Sequence, residues 1–191
     1  MELDKVIDVL KNNNLSSKEI LEWKSEKSFN LWHTFAATNN LECFNKISSI
    51  VSKPKLIEKL NEKNELGDLP VHLAAWDRNI NILKSIVKVT NTLDVLDAQH
   101  RSVAMICLKT KDKELFEFSL KHTKNMNQKD RHSHSLLQYA QSYSDPATYQ
   151  KLIDLGCIPE DKKKPLVHAI QEKEESILEF VRNHKKKIVI N

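Results

Sequence analysis

His100, Arg101, Arg131, His132 and His134 concentrate imidazole and guanidinium groups in two short polar stretches near the middle of the chain. Such groups donate hydrogen bonds to carboxylates and phosphates, so the chemistry they offer first is recognition of an acidic peptide or a carboxylate-rich surface. Without a partner they are ordinary solvated loop residues, the commoner fate of polar loops. Zinc is the other chemistry open to His132-x-His134 with His100. Three imidazoles without a carboxylate or cysteine at a defined spacing do not specify a metal site, and no cofactor is indicated.

Other reactive groups are scattered. No Ser-His-Asp or Cys-His arrangement can be assigned from the spacings, and there is no G-x-x-x-x-G-K phosphate loop. Cys43, Cys107 and Cys157 are odd in number, form no C-x-x-C pair and fall on apolar faces, so buried, inert thiols in a reducing compartment are expected. The runs Lys162-Lys163-Lys164 and His184-Lys185-Lys186-Lys187 could meet nucleic acid or an anionic lipid surface, or remain solvated. With 30 Lys+Arg against 26 Asp+Glu, the formal charge of +4 falls short of the footprint of a dedicated nucleic-acid binder. The first residues lack a basic segment followed by an apolar one, and no apolar run approaches the roughly 20 residues of a membrane span, so an intracellular, cytoplasmic protein is expected.

The elements that must carry these residues recur. Asn64, Asp97 and Asp130 stand 33 residues apart, and each opens the same order of polar, apolar and small residues. After Asn64, a turn signal leads to Pro70, suited to a first helical turn, and Val71, Ala74 and Ala75 make one small apolar face. Ile80, Ile82, Leu83, Ile86 and Val87 follow at helical spacing on a second helix. Trp32 to Phe44 repeats the pattern, with His33 standing 39 residues before His72. The six extra residues fall between Val51 and Leu60, where Pro54 breaks the helix and Ile57 and Leu60 extend a further turn. Leu3, Val6, Ile7 and Leu10 form an amphipathic stripe, and Ser16 or Ser17 can cap a helix carrying Ile20, Leu21 and Trp23.

The stretch Asn64-Glu65-Leu66-Gly67-Asp68-Leu69-Pro70-Val71-His72-Leu73-Ala74-Ala75 resembles an ankyrin repeat. The resemblance covers about residues 26 to 183. It implies an all-α fold, an ankyrin-repeat solenoid of stacked helix pairs with short hairpin loops. Residues 1–25 form an N-terminal helical cap and 26–183 about five repeats. The clearest are 64–96, 97–129 and 130–162, and a shortened last copy at Pro165 to Val181 closes the array before a basic tail at 184–191. Each copy departs from the family. Leu69 replaces the capping threonine, so His72 lacks its usual partner; His100 and Ser133 replace the turn glycine, and Ser102 and Ser135 hold the cap. His33 and His72 take the structural histidine position of the family, and Gly156 suits a left-handed C-cap.

Ankyrin domains are not usually enzymes, and the resemblance implies a noncatalytic module that binds a partner protein or peptide in a concave groove. The residues expected to touch it occupy nonconsensus positions: Leu66, Asp68, Trp76 and Asp77, then Gln99, Arg101 and Lys109, then Arg131, His132, His134 and Tyr143. Trp76 is the expected aromatic anchor, with Tyr143 two repeats along the same row; Trp76 could equally be packing over its neighbour. An acidic partner protein, no small-molecule substrate and no nucleic acid are expected. Degenerate cores with many Lys and Asn are associated with ankyrin effectors delivered into host cells, so that localisation is a second expectation. The alternatives are the recognition part of a larger enzyme, or an adaptor for nucleic acid or lipid through the lysine runs.

Overall fold

Asn64, Asp97 and Asp130 fold the five residues that they open in the same way. The Asn64 Oδ1 accepts from the Leu66 and Asp68 N–H groups at 2.9 and 3.0 Å. Asp97 Oδ1 accepts from Gln99 and Arg101 at 2.9 and 2.8 Å, and Asp130 Oδ1 from His132 and His134 at 2.8 and 2.9 Å. A side-chain oxygen that binds its own backbone two and four residues on is the reason Asn and Asp hold such turns. The fourth residue of each turn is left-handed, with φ of +78° at Gly67, +59° at His100 and +64° at Ser133.

A fourth turn of this kind precedes them, unread in the sequence. Ser25 stands where the others have Asn or Asp, with its hydroxyl accepting from Phe29 N–H at 3.2 Å and its N–H donating to Phe29 C=O at 2.9 Å. Ser28 supplies the left-handed residue at φ +56°. The serine hydroxyl sits on a shorter arm and makes one side-chain bond to the turn where the Oδ1 of Asn or Asp makes two, which leaves a weaker signal in the sequence.

The computed structural model describes residues 16–159. The chain divides into two units, Met1–Cys157 and Ile158–Asn191, and the helices below belong to the first. The stripe Leu3 to Leu10, the run Lys162–Lys164, the shortened last repeat and the basic tail lie outside the described residues. Among those residues there are ten helices and no strand, only the isolated bridges Leu96 to Ser102 and Lys129 to Ser135.

Helix α1 (Ser17–Glu22) is capped by Ser16, whose Oγ accepts from Glu19 N–H while the Glu19 carboxylate accepts from Ser16 N–H. Helices α2 (Leu31–Thr38) and α3 (Leu41–Ile50) form the first pair, and α4 (Lys53–Leu60) follows. Three more pairs are α5 (Pro70–Trp76) with α6 (Ile80–Thr90), α7 (Val103–Thr110) with α8 (Lys113–Lys121), and α9 (Leu136–Tyr143) with α10 (Pro146–Asp154). Polar caps fix where they begin: Asn30, Asn40, Ser102, Asp112, Ser135 and Asp145 each accept from the backbone N–H three residues on. Pro54 stands just after the break between α3 and α4. It sits in the first turn of α4, where its missing N–H has no partner to lose, and Leu56 and Leu60 of that helix are buried.

The first helices of the pairs pack in chain order, α2 on α5, α5 on α7 and α7 on α9, each with its own second helix beside it; α3 and α4 also meet α6. Close approach follows from small residues, since Ala36, Ala74, Ala75, Ala104, Cys107 and Ala140 are all fully buried. Buried Leu, Ile and Val supply the attraction, about 1.5–3 kcal/mol each. His33 and His72 join neighbouring pairs. In each ring Nδ1 lies against a backbone N–H, of Asn30 at 3.3 Å and of Leu69 at 3.0 Å, with Asn30 Oδ1 also 2.8 Å from the His33 Nδ1, and on the far side is Nε2. It points at Asp68 C=O from His33, 3.0 Å away, and at Val95 C=O from His72, 3.5 Å away. His72 therefore has partners on both sides without the hydroxyl expected at position 69, because the Leu69 backbone serves instead. Burial lowers the pKa of both rings, to about 4 for His72.

Candidate functional site

The residue that closes each turn is Phe29, Asp68, Arg101 or His134, four positions after the residue that opens it. Arg101 is held there by Asp97, whose side chain is fully buried and whose Oδ2 accepts from Arg101 Nε at 2.6 Å. Gln99 Oε1 accepts from a terminal guanidinium nitrogen at 3.0 Å. The guanidinium carbon then lies 4.7 Å from the centre of the Trp76 ring, at the end of α5. Lys109, near the end of α7, places its ammonium 5.5 Å from the same centre. Two cations on one indole are attracted by its quadrupole, about 0.5–2 kcal/mol each depending on exposure.

Trp76 is half-buried, packed against the core, and already in contact with two cations. The indole positions two charges as much as it offers area. Lys109 is exposed, and an exposed ammonium keeps its hydrogen-bonding capacity for a ligand.

The next turn is built alike with different chemistry. Tyr139 donates its hydroxyl proton to Asp130 Oδ2 at 2.9 Å, and His134 Nδ1 lies 3.4 Å from the same oxygen. Burial opposes the Asp130 charge, but bonds from the His134 and His132 backbone and from Tyr139 outweigh it and lower the carboxyl pKa. Arg131, His132 and His134 are exposed, and the two imidazole centres are 6.0 Å apart. Among the described residues no group of three His, Cys, Asp or Glu could hold a metal ion.

Tyr143 stacks near Tyr139, with ring centres 5.8 Å apart, and lines a cavity of about 240 Å³ with Leu108, Lys111 and Asp112. That places it beside the turn between α7 and α8, while the residues over Trp76 are Arg101 and Lys109. Tyr143 stands one position beyond the 33-residue register of Trp76 and Lys109, enough to turn it toward the helix end.

Leu66 on the second turn is 61% exposed, and Asp77, which follows α5, is exposed as well. Burial raises the Asp77 pKa. Asp68 is half-buried and its pKa is raised, first by burial and then by the neighbouring Asp97 charge. Asp68 Oδ1 and Asn64 Nδ2 are buried without partners, the counterparts of the Arg101 to Asp97 pair one turn on.

A feature not anticipated from the sequence is a cleft of about 470 Å³ beside the first turn, lined by Trp23, Lys27, Phe29, Thr34, Ala37 and Thr38 among others. The signal that could have found it is the serine-opened turn Ser25 to Phe29. Cys43, Cys107 and Cys157 are buried thiols, and burial pushes Cys107 up to about 12, which removes it as a nucleophile. Among the described residues no helix is long and apolar enough to cross a membrane.

The chain matches no protein-family model. It matches no curated protein either.

Proposed function

We propose that the chain is an ankyrin-repeat solenoid acting as a noncatalytic interaction module, with its turns and first helices presenting a groove to a partner protein or peptide. The observation that carries this reading is the fourfold turn at Ser25, Asn64, Asp97 and Asp130, joined to first helices that pack one on the next. A repeated unit that touches only its neighbours builds an extended surface and keeps the same positions free in each copy. Those positions here hold chemically unlike residues: Phe29, Asp68, Arg101 and His134 on the turns, and Ala37, Trp76, Lys109 and Ser142 on the helices. Variation at the helix positions, which the turns do not fix, is what selective recognition requires.

Backbone bonds between turns support a continuous surface. Glu65 N–H donates to Lys27 C=O at 3.3 Å, and Arg131 N–H donates to Gln99 C=O at 2.9 Å. Gly67 lies so close to the following turn that a Cβ there would stand 2.7 Å from Ala98 Cβ. A cytoplasmic partner, or a host-cell partner met as a delivered effector, fits this reading.

Photo-cross-linking tests it. A photoreactive residue at Leu66, Lys109 or Ser142 is expected to capture the same partner from cells of the natural source, whereas the same residue at Lys46, Lys88 or Lys121 on second helices captures none. Equal capture from both sets refutes the groove.

A further inference from the structure

We infer that Trp76, Arg101 and Lys109 form a preformed subsite for a carboxylate of an acidic peptide. This rests on the groove reading and names the chemistry of its partner.

The three groups come from separate elements. Trp76 ends α5, Arg101 closes the third turn and Lys109 lies in the last turn of α7. Arg101 is not a wandering surface charge: Asp97 and Gln99 fix Nε and one terminal nitrogen, and the Trp76 face supports the plane. Its remaining terminal nitrogen has no acceptor in this network. Lys109 has the indole as its contact and no carboxylate in range. The Asp97 charge is spent inside the turn, where it also accepts two backbone N–H groups. Arg101 is already paired with Asp97 while Lys109 is not, so a ligand carboxylate at this ring would gain charge-assisted hydrogen bonds from the ammonium and from the remaining guanidinium nitrogen.

Charge complementarity sets the occupant. Arg131 follows on the next turn as an exposed cation, so the positive field continues beyond the mostly buried Arg101 and the exposed Lys109. On the other side Leu66 is exposed beside the half-buried Asp68. The fitting ligand is an extended segment with Asp or Glu over Arg101 and Lys109 and an apolar residue toward Leu66. Preorganisation by Asp97, Gln99 and Trp76 lowers the entropy lost on binding.

The test begins with short random peptides displayed on phage and selected on the full chain, followed by anisotropy of a dye-labelled selected peptide. Selected peptides are expected to carry Asp or Glu. Lys109→Glu places a carboxylate of the protein itself beside Arg101, so affinity should fall about tenfold or more, with Lys109→Gln intermediate and Lys88→Glu on α6 unchanged. Binding that weakens with Leu66→Arg but ignores Lys109→Glu overturns the subsite and leaves the groove standing. Peptides insensitive to both substitutions, or no selection above an unrelated helical protein, overturn the subsite and the groove together.

Discussion

Replacing His100 by glycine is expected to stabilise the protein. The chain has two glycines, and yet Ser28, His100 and Ser133 hold the left-handed position of the turn, while Asn39, Arg78 and Lys111 hold a left-handed position between paired helices. A side chain in this region costs about 1–2 kcal/mol through its Cβ. Glycine returns about 0.4–1 kcal/mol of that through its freer unfolded chain, leaving a net gain of about 0.5–1 kcal/mol at His100. For a protein of this length each kcal/mol raises the melting temperature by about 2–4 °C, so His100→Gly should gain one to a few degrees by calorimetry. Arg78→Gly and Lys111→Gly should gain similarly, and Asn39→Gly less, because asparagine tolerates the left-handed region. The opposite exchange, Gly67→Ala, must lose stability by more than about 2 kcal/mol, since φ is +78° and the new Cβ would overlap Ala98. A melting temperature lowered in His100→Gly, with Gly67→Ala unchanged, would refute the shared turn.

Asn64→Asp gives the second turn the residue of the third and fourth, yet it should destabilise by about 1–3 kcal/mol in urea unfolding, because Asp68 faces it instead of Arg or His. Asp68→Arg should recover most of that loss in the double variant; additive losses would remove the pairing rule. Stability should also fall with acid. His72 has its folded pKa lowered to about 4, so the unfolded chain takes up its proton first; the stabilisation is complete above the ordinary value of about 6.5 and is lost as pH falls toward 4. At pH 5 the loss is about 2 kcal/mol relative to pH 7, read from urea midpoints, and His72→Gln should flatten that dependence. An unchanged slope in the variant would assign the acid sensitivity to other groups.

Turn-opening Asn64, Asp97 and Asp130 were legible at their constant spacing because one side-chain oxygen must serve two backbone donors. The helix pairs were legible through Ala and branched apolar residues at helical spacing. Ser25 to Phe29 was not, since serine and a left-handed Ser28 carry no glycine or carboxylate signal. Pro54 marks the break between α3 and α4, and the full helix that follows it was less legible because the first turn of a helix accepts proline freely. At the candidate site Arg101, Lys109 and Trp76 were each expected to face a partner, but their contact with one another was beyond sequence reasoning. It depends on Asp97 turning the guanidinium back over the preceding copy, a register set by tertiary packing. Tyr143 failed to align with Trp76 through a one-residue offset that rotates a helical side chain by about 100°.

The most direct test of a partner-binding groove is hydrogen exchange on the chain alone and with its cross-linked partner. New protection should appear at 65–68, 98–101 and 131–134 and at the ends of α5, α7 and α9, with α3, α6, α8 and α10 unchanged. Protection confined to those second helices, or none at the turns, would contradict it.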